Sequence, residues 1–166
     1  MLLLFTMESA LDLIGVYDPL IRLKTMGFVH DLEWEICAHS KEVGDNAGLH
    51  FTPTEVGESL EDYDTVIVPG GFISTIQNLI DNAEFIQWLT TARPCKLKAS
   101  VCTGALLLGA AGFLKGKNAT THPNHFDDLR GFCLSVVNQR IVDEGNVITA
   151  RGVTSSIDLG LYLCEN

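Results

Sequence analysis

The run Thr65-Val66-Ile67-Val68, followed at once by Pro69-Gly70-Gly71, constrains this chain more than any other segment. Consecutive β-branched residues without polar alternation offer no solvent face, so the strand must be covered on both sides, as in the centre of a parallel sheet. The Pro-Gly-Gly turn ends it abruptly. Similar apolar runs recur at Leu2 to Phe5, Trp34 to Ala38, Leu97 to Val101 and Val147 to Thr149, with shorter pieces at Leu49 to Phe51, Asn118 to Thr121, Leu134 to Val137 and Arg140 to Val142. Asp143-Glu144-Gly145-Asn146 predicts a hairpin turn between the last two strands. Helical periodicity falls between them, at Leu11 to Met26 (bent at Gly15 or Pro19), Ile73 to Ile80, Ala83 to Ala92, Thr103 to Ala111, Phe126 to Leu129 and from about Ser156. The alternation predicts an α/β sandwich with a mainly parallel sheet, and 166 residues suit one domain. In such sheets ligands sit at the carboxyl ends of the strands, where Gly70, Gly71 and Cys102 fall.

Charge narrows the function. With 11 basic against 21 acidic side chains the net charge is −10, which excludes a general nucleic-acid-binding role. The balance is uneven: residues 1–84 carry a net −12 and residues 85–166 a net +2, so an anionic ligand is better received by the second half. The apolar start, Met1 to Phe5, lacks a basic flank and meets Glu8 and Asp12 too soon for a signal peptide, and no run is long enough to span a membrane. The 5 cysteines form no CxxC pair, which favours free thiols and a reducing cytoplasm over a disulfide framework.

Three segments can carry chemistry. Ser100-Val101-Cys102-Thr103-Gly104-Ala105 sets a thiol on a strand-to-helix turn, where the helix N-terminus favours thiolate and small neighbours permit a strained elbow that exposes the sulfur. A buried structural cysteine is the alternative. Gly70-Gly71, with the Thr103 N–H, can offer donors to a developing oxyanion, or can be only a tight turn. Asp12, an acid among apolar residues, suits a proton donor kept neutral by desolvation. Ser9-x-x-Asp12 equally has the spacing of a helix capping box, as does Ser155-x-x-Asp158, where a cap is the favoured reading. His122-Pro123-Asn124-His125 offers two imidazoles but no third ligand, so no metal is expected; His122 is a base or partner for Cys102, or a hydrogen-bonded bystander. Arg151 lies either at the cleft or on the surface.

Taken together, Leu11-Asp12-Leu13, Val66-Ile67-Val68-Pro69-Gly70-Gly71, Ser100-Val101-Cys102-Thr103-Gly104, Leu107 to Lys117, Ala119-Thr120-Thr121-His122 and Gly152 to Leu159 resemble the ThiJ/PfpI superfamily. These proteins are class I glutamine amidotransferase-like, and the likeness is greatest to the isonitrile hydratase branch. The pattern also occurs in the amidase-like sensory domains of AraC-type regulators. The resemblance implies a flavodoxin-like three-layer sandwich over residues 1–166, usually a homodimer, with neither metal nor organic cofactor. It implies Cys102 as nucleophile, Asp12 as acid/base, Thr103 as the neighbouring polar group and Gly71 as oxyanion donor. The activity it implies is hydration of an isonitrile to an N-substituted formamide, with a small electrophile as substrate and no nucleic acid or membrane as partner. A glyoxalase-like or amidase-like enzyme and a non-catalytic sensor are the other readings.

Three positions depart from the branch. Val16 replaces a proline and Pro123 an aromatic residue, both expected to line the pocket. Arg151 replaces a small residue and, pointing inward, would suit a ligand bearing a carboxylate. The last helix is expected to be short, by truncation or because a partner covers Leu159, Leu161, Tyr162 and Leu163.

Overall fold

The computed structural model describes residues 2–5 as backbone, and 9–45 and 47–166 in full. In chain order the elements are β1 (Leu2–Phe5), α1 (Ala10–Thr25), β2 (Glu35–Ala38), β3 (Val43–Gly44), β4 (His50–Phe51), β5 (Glu55–Val56), β6 (Thr65–Val68), α2 (Ile73–Asp81), α3 (Ala83–Thr90) and β7 (Leu97–Val101). There follow α4 (Gly104–Ala110), β8 (Asn118–Ala119), a 3-10 turn (Pro123–His125), α5 (Phe126–Leu129), β9 (Ser135–Val136), β10 (Ile141–Asp143), β11 (Val147–Ala150) and α6 (Ser155–Glu165).

Seven strands form the main sheet in the order β10-β11-β7-β6-β1-β2-β5. Every neighbouring pair is parallel except the β10–β11 hairpin. The β-branched run Thr65–Val68 lies between β1 and β7, and its side chains alternate between two cores. Val66 and Val68 join Ile76, Phe85, Leu89 and Leu106 from α2, α3 and α4. Ile67 joins Leu13, Val16, Leu20 and Leu159 from α1 and α6. This is the three-layer α/β sandwich that a two-sided apolar strand requires.

The sequence did not signal β3 or β5, because two-residue strands have no usable periodicity. The pieces at Leu49–Phe51 and Leu134–Val137 do form strands, but each pairs outside the main sheet, β4 with β3 and β9 with β8. The cap expected of Ser155-x-x-Asp158 is not made. Thr154 precedes α6 without a side-chain cap, Ser155 Oγ has no hydrogen-bond partner among the described residues, and Asp158 pairs instead with Arg140. Leu159 is fully buried, so of the expected sticky face of α6 only Leu161 stands well exposed.

Helix α1 runs unbroken through Gly15 and Pro19. Gly15 is needed for a different reason: it is where α6 crosses. A Cβ there would overlap Ser156 Oγ, and that hydroxyl lies 3.0 Å from the Leu11 carbonyl and 2.7 Å from the Val153 carbonyl, its two acceptors. Gly160 repeats the close approach one turn on, against the Gly15 carbonyl. Gly15→Ala is therefore expected to loosen the α1–α6 seam and lower stability by about 1–3 kcal/mol, read from the urea midpoint; an unchanged midpoint would show that the seam yields freely.

Candidate active site

The carboxyl ends of β6 and β7 meet at Cys102. Its φ is 55°, the one positive value on a non-glycine residue among those described. A left-handed cysteine costs of order 1–3 kcal/mol and persists only where its surroundings hold it. Here the Cys102 N–H donates to the carbonyls of Ala150 and Arg151, both at 3.1 Å, and the buried Thr121 hydroxyl donates to the Cys102 carbonyl at 2.8 Å. The β6 turn packs so closely that a Cβ on Gly70 would stand 2.8 Å from Cys102 Cβ and 2.7 Å from the Thr103 nitrogen. Gly104 likewise lies against the carbonyl oxygens of Val68 and Pro69. The strained elbow expected from the small residues is present.

Asp12 is brought to this elbow from α1. It is not half of a capping box, since Ser9 makes no side-chain cap on α1. Its Oδ2 accepts the Gly70 N–H at 3.2 Å across 58 residues of sequence. Oδ1 has no well-formed hydrogen bond among the described residues, although the Cys102 and Ser9 side chains lie near enough to favour the carboxylate. Burial outweighs these contacts and lifts Asp12 from 3.8 to about 6.

Cys102 departs from expectation in two ways. It is only 7% exposed, so the elbow sets the sulfur at the floor of a cavity rather than in the open. Its thiol is also pushed up to about 11, first by burial and then by the nearby Asp12 charge. Helix α4 has 7 residues and cannot offset that. The backbone N–H groups of Thr103 and Val153 act in the opposite direction and favour thiolate.

The two glycine amides expected to be free for an oxyanion are both engaged. Gly70 serves Asp12, and the Gly71 N–H donates to Thr103 Oγ1 at 2.8 Å while that hydroxyl donates back to the Gly71 carbonyl at 2.7 Å. The donors nearest the sulfur are Thr103 and Val153. Val153 had no signal of its own, as an ordinary apolar residue before a helix. Thr121 lies in a segment that carries the resemblance but had no role assigned, because its task is to hold a carbonyl.

Above the sulfur is a cavity of about 410 Å³. Its lining includes Phe72, Ile73 and Val153 together with His122, Asn124 and His125. His122 Nδ1 accepts the Asn124 N–H at 3.3 Å, and its ring packs so tightly on Gly152 that a Cβ there would overlap it. Burial first, then His125 and Arg151, lower its pKa and keep the imidazole neutral at pH 7. Val16 is fully buried in the core rather than at the cavity, and Pro123 opens the 3-10 turn. A larger open groove of about 630 Å³ lies at the amino ends of β2 and β6, far from the elbow and lined by Asp31, Glu35, Asp62 and Asp64 among others. Among the described residues no group of three His, Cys, Asp or Glu side chains is placed to hold a metal ion, and no helix is long and apolar enough to cross a membrane.

With this geometry in place, comparison with known proteins is decisive for the family: residues 2–166 match the DJ-1/PfpI family. The chain belongs to that family. It is 37% identical over 164 residues to an isonitrile hydratase of Pseudomonas putida, covering 98% of this chain and 69% of that protein. It is 28% identical to Protein DJ-1alpha of Drosophila melanogaster, over 86% of this chain and 64% of that protein. A deglycase of Pyrococcus horikoshii is 27% identical, over 91% and 90% respectively. Among solved structures, a ThiJ/PfpI family protein from Pseudomonas syringae superposes with a TM-score of 0.84 at 32% identity, over 98% of this chain and 66% of that one. The chain thus spans about two thirds of the length of several relatives. The flavodoxin-like fold of this DJ-1/PfpI protein agrees with the α/β expectation.

The raised Asp12 has a measurable consequence. An acid whose folded pKa lies above 3.8 binds its proton more tightly when folded, so its favourable contribution is complete at low pH and is lost as pH rises from about 4 through about 6. Asp12→Asn removes that penalty and retains an acceptor for Gly70. At pH 7 it is expected to raise unfolding stability by up to about 3 kcal/mol, with the gain vanishing near pH 4. Loss of stability at pH 7 would instead show that the carboxylate's bond to the Gly70 N–H outweighs the cost of burying it.

Proposed function

We propose that this DJ-1/PfpI protein is a cysteine-dependent hydratase of isonitrile type. The observation that carries the reading is Asp12, a buried carboxyl with a pKa of about 6 held beside the Cys102 thiol at the floor of a partly apolar cavity. The likeness to an isonitrile hydratase supports it.

The chemistry follows from the two pKa values. At pH 7 the thiol, at about 11, keeps its proton, while the carboxyl, at about 6, is mostly ionised. As the sulfur attacks the terminal carbon of R–N≡C, Asp12 takes the thiol proton and delivers it to that carbon, giving the thioimidate Cys–S–CH=N–R. Water then adds to the same carbon as the nitrogen is protonated, giving Cys–S–CH(OH)–NH–R. Collapse of this adduct breaks the C–S bond, returns a proton to the sulfur and releases the formamide R–NH–CHO. The N–H groups of Thr103 and Val153 stabilise the charge that grows on sulfur during attack and departure. Gly70 aims the carboxylate, Thr103 fixes the Gly71 turn, and Gly71 and His122 wall the substrate. No step requires a metal or organic cofactor.

The working unit we propose is a homodimer in which a second copy covers Leu11, Ile14, Ile157 and Leu161, apolar residues left exposed on the α1–α6 layer. A reducing compartment such as the cytoplasm suits the free thiol.

Formamide release from cyclohexyl isocyanide tests the reaction. Wild-type protein is expected to turn over, Cys102→Ala to fall to background, and Asp12→Asn to lose about 10²–10⁴-fold in kcat. Folded wild-type protein without turnover would overturn the isonitrile reading. Turnover of a small carbonyl electrophile would then favour a glyoxalase- or deglycase-type enzyme, and binding without turnover a sensor domain.

A further inference from the structure

We propose that His125 is a second catalytic group of the Cys102 cavity: held by Asp128, its imidazole takes the proton of the water that hydrates the thioimidate. This rests on the hydratase reading and names the base that the reaction leaves unassigned.

The water has to be activated inside the cavity, and Asp12 is poorly placed for that. Its side chain is 1% exposed, it is not among the residues that line the cavity, and its Oδ2 is engaged by the Gly70 N–H. Arg151 does not line the cavity either; its guanidinium stands over the Phe126 ring. Among the described lining residues only Cys102, His122 and His125 titrate.

The two imidazoles differ in which nitrogen is free. Their rings stand 5.8 Å apart, and the His125 N–H donates to the His122 carbonyl at 2.8 Å, closing the turn that carries both. His122 accepts the Asn124 N–H at Nδ1, so in the neutral ring the hydrogen sits on Nε2 and no lone pair is left to act as a base. His125 is the reverse. It precedes α5, and Asp128 stands three residues on in the first turn of that helix. His125 Nδ1 lies 2.8 Å from Asp128 Oδ2. A carboxylate can only accept, so Nδ1 carries the hydrogen and Nε2 keeps its lone pair. The ring is 22% exposed and the acid 53%, so the imidazole is the inner member of the pair. A carboxylate behind an imidazole fixes its tautomer and stabilises the cation that forms when it takes a proton.

The step balances on these groups. The water oxygen bonds to the carbon of Cys–S–CH=N–R as His125 Nε2 takes one water proton, and the C=N electron pair moves to nitrogen. The imidazolium then gives its proton to that nitrogen, which leaves Cys–S–CH(OH)–NH–R and a neutral ring.

Cyclohexyl isocyanide separates the two halves of the reaction, because attack adds one isonitrile mass to Cys102 and hydration removes it as formamide. His125→Ala is expected to form the adduct at the wild-type rate but to release formamide about 10²–10⁴-fold more slowly, so that the adduct accumulates in intact-protein mass spectra. Free imidazole is expected to restore part of the release in His125→Ala, where it can take the place of the missing ring. Asp128→Asn, at a mostly exposed position that the fold does not need, is expected to show a smaller loss with the same accumulation. Wild-type release from His125→Ala would overturn the assignment of His125, as would a slowed release in both variants with no adduct building up. Wild-type protein that releases no formamide would overturn the hydratase reading and this assignment together.

Discussion

The exits of β6 and β7 are pressed together, and most of the site follows from that contact. Cys102 sits in the left-handed region with a side chain that disfavours it, so something must hold the backbone there. The hold comes from both sides. Gly70 and Gly104 remove the Cβ atoms that would keep the two turns apart, while Ala150, Arg151 and Thr121 fasten the peptide groups of Cys102. Thr103 completes the join by exchanging two hydrogen bonds with Gly71, so that one side chain acts as a missing rung between two strands. A sulfur placed this way has little freedom, and Asp12, Val153 and His122 are arranged about a fixed point.

Electrostatics at that point differ from the familiar picture of a helix-activated thiolate. The dipole of a short helix is a small effect beside desolvation, and the neighbouring carboxylate adds to the cost of a second negative charge. The pair therefore rests as thiol and carboxylate. Resting reactivity toward casual oxidants is restrained for the same reason, since thiolate is the reactive form.

The sequence made the layers and the elbow legible because both rest on strong local signals. Thr65–Val68 has no polar face, and Cys102 sits between a buried strand and a glycine-bearing helix start. Asp12 was ambiguous because a capping box and a buried acid share one spacing; only its bond to Gly70, 58 residues away, separates them. The occupied amides of Gly70 and Gly71 were invisible, because a free N–H and a bonded one read alike in sequence. Val153 and Thr121 act through a backbone N–H and a single carbonyl contact, which leave no chemical signature. The burial of Cys102, and with it the direction of its pKa, depends on how the α1–α6 layer closes over the elbow.

That closure has a consequence for how the protein is made. Ser156 ties the Leu11 carbonyl to the start of α6 across 145 residues, and the same stretch supplies the Val153 amide beside the sulfur. A growing chain can pair β6 with β7 early, but the turn at Cys102 is fastened only once Thr121, Ala150 and Arg151 have been made, and residues 153–165 follow them. Until then Asp12 has no seam to lean on, and the thiol lacks both its cover and its second donor. The nascent protein thus passes through a stage in which the thiol at its elbow is uncovered, and synthesis of α6 sheathes it.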